Sequence, residues 1–268
     1  MGSVFSPWYA WSGRRDPADH TAINVALYGS GPRRWTMTER GRPALSRSTN
    51  RLAIGPSTLD WDGAALNITL DEISAPLPRP VRGHIRLWPR AIGSRAFDLD
   101  AHGRHRWWPI APHARVEISL DQPGLSWSGE GYLDTNAGDE PLEDGFVTWD
   151  WARSGGPDGA RIRYDVTRRD GVRHTLALDI AADGRVEEQV APPRVSLPGT
   201  RIWRIPRGMN VDGQADLVAT LEDTPFYARS LVKAEDGPLW FHESLMLDRF
   251  RSAWVRTLLP FRMPRRRG

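Results

Sequence analysis

RIRYDVTRRDGVRHTLALDIAADG, residues 161–184, holds two short runs, RIRYDV (161–166) and VRHTLALDI (172–180), the first followed by the pair Asp170-Gly171 and the second by Asp183-Gly184. β-branched, aromatic and aliphatic residues alternating with polar ones mark strands with one buried face. Asp-Gly suits the positive φ of a tight hairpin turn. The stretch therefore reads as antiparallel hairpins, and the same signature extends outward from it. INVALY (23–28), ALNITL (65–70), VRGHIRLW (81–88) and RVEISL (115–120) are further strand candidates, and Asp62-Gly63 is another turn. The 22 prolines and 25 glycines punctuate loops rather than helices. One helix is expected, HESLMLDRFRSAWVRTLL (242–259), where Leu245, Leu247, Phe250, Trp254 and Leu258 fall close to helical spacing and Pro260 stops the run. Many short strands with one terminal helix predict an all-β chain of barrels or a sandwich. SGGPDG (154–159) is the expected boundary, dividing the chain into 1–155 and 156–268.

Composition narrows the chemistry. A chain of 268 residues is long enough for one large or two small domains with a real core. The absence of cysteine excludes disulfides, zinc-thiolate sites and a cysteine nucleophile. The formal charge is +3, and Lys233 is the sole lysine among the basic residues. These residues are scattered, with neither the stripe nor the motif of a nucleic-acid binder. Arg265, Arg266 and Arg267 form the one tight basic cluster, read either as contact with an anionic membrane surface or as a solvated terminus. No run approaches the roughly 20 apolar residues of a membrane span. MGSVFSPWYAW lacks the basic and apolar regions of a signal peptide. Its first six residues match the M-G-x-x-x-S myristoylation pattern. The 13 tryptophans, from Trp8 to Trp254, line a cavity or fill a core.

GEGYLDTNAGDEPLED (129–144) concentrates six carboxylates in sixteen residues. A calcium loop starting at Asp134 would need a ligand at Gly138, glycine at Asp139 and glutamate at Gly145, and all three fail. His102 and His105 form no helical zinc pair, and no serine elbow or phosphate-binding glycine loop occurs. The acid–base reading fits better. Alternation along LSWSGEGYLD (125–134) puts Tyr132 and Asp134 on one face, and HRWW (105–108) does the same for His105 and Trp107. If the two faces meet, an acid, an imidazole, a phenol and an indole share one site. If they do not, Trp107 is core, His105 lies at the surface and Asp134 begins a turn. A buried aspartate resists ionising and serves as a general acid near neutral pH.

The chain resembles the carotenoid 1,2-hydratases, also called hydroxyneurosporene synthases, nearly end to end. The resemblance is carried by GSVFSPWYAWSGRRDPADHTAINVALYG (2–29), RWTMTERG (34–41), IGPSTLDWDG (54–63), GEGYLDTNAGDEPLE (129–143), WDWAR (149–153) and HESLMLDRFRSAWVRTLLPFRMPR (242–265). It implies two consecutive lipocalin-like antiparallel β-barrels, the first carrying the site. It implies addition of water across the terminal C1=C2 bond of an acyclic carotenoid such as neurosporene or lycopene, without cofactor or metal. The family's His-x-Trp and Tyr-x-Asp pairs fall on His105, Trp107, Tyr132 and Asp134, with Asp134 as the expected proton donor. Asp139, Glu140, Glu143 and Asp144 are expected to be loop charges or partners of arginines. So apolar a substrate implies a peripheral enzyme on the cytoplasmic side of the membrane. Leu258, Leu259 and Phe261 beside Arg256, Arg262 and Arg265 form a candidate contact. The alternatives are a related enzyme acting on another terpenoid, a carotenoid carrier, and a carbohydrate-active protein with paired carboxylates.

Overall fold

The computed structural model describes residues 3–235 and 237–266. The first two residues of the myristoylation pattern and Arg267 of the basic cluster lie outside them. The chain is mostly β and divides into two compact units. The first comprises Met1–Trp88, Arg115–Gly131 and Arg256–Gly268, the second Pro89–Ala114 and Tyr132–Val255.

An antiparallel meander, Leu45–Arg47, Arg51–Ile54, Ser57–Trp61, Leu66–Ile73 and Pro80–Pro89, forms one side of an eight-stranded sheet in strict sequence order. The sheet continues into His105–Gln122 and Leu125–Gly138. Residues 115–122 and 125–131 of these long strands belong to the first unit, and 105–114 and 132–138 to the second. Alternation puts Ile54, Leu70, Val81 and Leu87 inside the first unit. A buried ion pair sits there too. Arg40 donates to Glu72 at 2.9 Å, and Ser57 donates to the other carboxylate oxygen at 2.7 Å.

In the same unit the C-terminal residues Arg265–Arg266 pair in parallel with Glu39–Arg40. Arg265 binds the carboxylates of Glu39 and Asp19, so this end of the basic cluster is docked rather than solvated. The indole N–H of Trp8 donates to the carbonyl of Met263 at 2.9 Å. Trp8→Phe is expected to cost about 1 kcal/mol, the net worth of one such bond, read as a lower urea midpoint at unchanged m-value.

The second unit is built on a seven-stranded antiparallel sheet. Its order is Val186–Gln189, Arg173–Ala181, Gly159–Arg168, Phe146–Gly156, Leu239–Met246, Tyr227–Ala234, Ala215–Asp223. Two expectations change here. SGGPDG is a hairpin turn inside this sheet, not a boundary, with Gly156 opposite Gly159. Glycine, proline and aspartate mark turns and linkers alike. Gly159 has a φ of +143°, and a Cβ there would lie 2.0 Å from the carbonyl oxygen of Ile180, so only glycine fits. The expected helix over 242–259 begins only at Leu247. Residues 242–246 end a strand paired on both sides, and the helical part splits into Leu247–Arg251 and Ala253–Leu258 at an extended Ser252 (ψ 139°). A short apolar run does not distinguish helix from buried strand by spacing alone.

Register sorts the two faces of this sheet. Residues directly opposite across antiparallel strands share a face. One face carries Asp150, Asp165 and Ser244 in a row. Arg194 bridges the two aspartates at 2.8 and 2.9 Å. The other face carries the row Tyr164, Trp151, Glu243, Arg229 and, one step along, Val166, Trp149, Leu245, Tyr227.

Candidate active site

Trp107 and Asp134 are far apart in sequence but lie on neighbouring strands. The indole N–H of Trp107 donates to Asp134 Oδ2 at 2.7 Å, and the Tyr132 hydroxyl donates to the same oxygen at 2.8 Å. Trp107 is fully buried. Burial pushes the Asp134 carboxyl above the usual carboxylate range. The two donors pull it down, and the charge of Glu243 pushes it up again. Burial, and then the adjacent Asp134, push the Tyr132 phenol well above its ordinary value. Tyr132 therefore stays a donor at any working pH.

This geometry assigns the two oxygens of Asp134. In the neutral acid, Oδ2 with its two donors is the carbonyl oxygen, and the proton sits on Oδ1, to which no described side chain donates. The donors to Oδ2 also stabilise the carboxylate left when that proton departs. Desolvation thus favours the neutral acid, and the two hydrogen bonds favour the carboxylate.

Aromatic rings surround the carboxyl. Tyr132 lies 5.4 Å from Trp151, and Trp107 lies 4.8 Å from Tyr164 and 5.6 Å from Phe97, between ring centroids. Trp149 stands edge-on to Tyr164 at 5.4 Å and to Phe146 at 5.1 Å. The Tyr164 hydroxyl donates to Asn136 at 3.2 Å. Arg153 lies over the Tyr132 ring at 5.1 Å. The arrangement puts a carboxyl that burial biases toward its neutral form inside an aromatic shell, suited to protonating an apolar substrate.

His105 is buried, at 4% exposure, but it does not bond to Asp134. Its Nε2 lies 3.3 Å from Glu140 Oε1, and its ring stands edge-on to Phe146 at 4.7 Å. A Cβ at Gly145 would come within 2.7 Å of that same nitrogen. Three carboxylates of the acidic loop lie beside arginines. Asp139 takes both terminal nitrogens of Arg106 at 2.9 Å, and Glu140 pairs with Arg104 at 2.7 Å. Asp144 lies 3.9 Å from Arg251.

Sequence reasoning grouped His105, Trp107, Tyr132 and Asp134; the structure brings Trp107 and Tyr132 onto Asp134, while His105 is placed beside Glu140 instead. It missed Trp149, Trp151, Tyr164 and Glu243. Alternation in WDWAR (149–153) puts both tryptophans on one face, but which strands lie beside them is settled only by register.

Comparison with known proteins identifies the family. The family described as "Carotenoid hydratase CrtC" matches residues 1–268. An acyclic carotenoid 1,2-hydratase of Thiocapsa roseopersicina is 58% identical over 99% of this chain and 67% of its own length. One from Rubrivivax gelatinosus is 49% identical over 99% and 68%, and one from Cereibacter sphaeroides is 44% identical over 100% and 97%. No solved structure matches. The match along the whole chain, together with these identities, shows that the chain belongs to the carotenoid hydratase family.

Proposed function

We infer that the chain adds water to the terminal C1=C2 double bond of acyclic carotenoids. The observation that carries this reading is the convergence of Trp107 and Tyr132 on one oxygen of a desolvated Asp134. An isolated trisubstituted alkene is a very weak base, so its protonation needs a neutral carboxylic acid and shelter for the cation. Asp134 delivers its Oδ1 proton to C2, leaving a tertiary cation at C1. The rings of Trp151 and Tyr164 stabilise that cation by about 2 kcal/mol or more when it is desolvated. Trp107 and Tyr132 hold the developing carboxylate. His105, through Glu140 and Phe146, fixes the strand end that presents Trp107. Water then captures C1 and gives the tertiary alcohol.

On the same reading the enzyme is a peripheral one working at the cytoplasmic face of a membrane, from which its substrate arrives. Leu258 and Phe261 are exposed, with Arg256 and Arg262 alongside in sequence. No described helix is long and apolar enough to cross a membrane. The in-order antiparallel meander supports reading the sheets as lipocalin-like barrels.

The test is product analysis with a panel of polyenes in lipid vesicles. Tertiary alcohols from neurosporene or lycopene are expected. Bound but unconverted carotenoid would favour a carrier, and conversion of a different terpenoid alone would favour a related enzyme.

A further inference from the structure

We propose that Glu243 is the general base of the hydration, taking a proton from the water that attacks C1. The inference rests on the hydratase reading and deepens it. Glu243 stands directly opposite Trp151 on the neighbouring strand, in the row Tyr164, Trp151, Glu243, Arg229. Tyr132, a hydrogen-bond partner of Asp134, packs on Trp151 in that row. The second carboxylate therefore shares the aromatic face that the proton donor overlies. Its charge also reaches Asp134 and Tyr164, pushing both groups up.

The bonding of Glu243 suits a base. Arg229 Nε and Nη2 both approach Oε1, at 2.9 and 2.8 Å. Oε2 is then the oxygen that accepts a proton from water, with the buried Tyr227 hydroxyl as the other polar neighbour of the carboxylate. Beside it, the buried indole N–H of Trp151 has no acceptor among the described residues. That N–H can hold the water oxygen while Oε2 takes one of its protons, leaving a lone pair for C1. A buried donor without a partner calls for such an explanation.

The step balances. The Oδ1–H bond of Asp134 breaks as a C2–H bond forms. A C1–O bond then forms as the water O–H proton passes to Glu243. The product is the neutral tertiary alcohol, and the enzyme is left with Asp134 ionised and Glu243 protonated. Proton exchange through solvent restores the starting state, with no oxidant or reductant involved.

The experiment uses the full chain with neurosporene in phosphatidylcholine vesicles made up in D2O. Glu243→Gln is expected to slow alcohol formation by roughly 10²–10⁴-fold, the usual contribution of a positioned base. Protonation by Asp134 survives in this variant, so the uncaptured cation collapses by losing a neighbouring proton. Recovered polyene, isomerised or not, then carries deuterium. Formate is expected to restore part of the hydration in Glu243→Ala, which a merely structural role would not allow. Near-wild-type hydration by Glu243→Gln overturns the proposal. So does loss of both alcohol and deuterium uptake in a variant that melts like wild type and still binds neurosporene. A wild-type protein that makes no alcohol is a separate result, and it removes the hydratase reading together with the base.

Discussion

Asp134→Asn is expected to lower carotenoid hydration by roughly 10³-fold, within the range that a positioned general acid contributes. The substitution keeps the shape of the site. The amide oxygen accepts the N–H of Trp107 and the O–H of Tyr132 as Oδ2 does now, and only the transferable proton is lost. Stability should move the other way. The folded-state pKa of Asp134 is raised above 3.8, so its favourable contribution is complete below that pH and is lost as pH rises through the folded value. The asparagine variant has no such loss. Its stability relative to wild type should therefore grow as pH rises through that window, measured by urea unfolding at several pH values. A variant that hydrates at near-wild-type rate removes Asp134 as donor. One that unfolds at neutral pH shows the carboxyl to be structural.

Trp107→Phe removes one of the two donors to Oδ2 while keeping most of the ring. A hydrogen bond to a charged group is worth about 1.5–3 kcal/mol, so the plateau rate should fall roughly ten- to hundredfold. The pH profile provides a second, independent readout. Activity requires neutral Asp134 and falls as pH rises through its pKa. Without the indole donor the carboxylate is less stabilised and the pKa rises further. The alkaline limb should therefore shift to higher pH even as the plateau drops. Among the other groups facing Asp134, Tyr132 and Tyr164 are pushed well above their ordinary range, and the charge of Glu243 pushes Asp134 up. Tyr132→Phe should shift the limb in the same direction. An acid shift in either variant would contradict the account of what these donors do.

How far the sequence carried the reading follows from the range of each signal. Period-two alternation is local, so RIRYDV, VRHTLALDI and LSWSGEGYLD show their strands and paired faces directly. The Tyr132/Asp134 and His105/Trp107 pairs are legible for the same reason. That Trp107 reaches Asp134 while His105 turns to Glu140 depends on packing between strands. Tyr164, Trp151 and Glu243 come from three separate strands and meet only through hydrogen-bond register. SGGPDG misled because turns and linkers use the same residues. Helical spacing runs on through 242–246 because Leu245, near the end of a strand, and Leu247, at the start of a helix, both fit it.

The account's central claim is that a proton from Asp134 and oxygen from water enter one terminal double bond. The most direct measurement is hydration of neurosporene by the purified chain in vesicles, run in parallel in oxygen-18 water and in D2O and read by mass spectrometry. The account predicts a 1-hydroxy product carrying one oxygen-18 at C1 in the first medium and one carbon-bound deuterium at C2 in the second. Bound neurosporene that acquires neither label, or an alcohol oxygen that does not come from water, would contradict it.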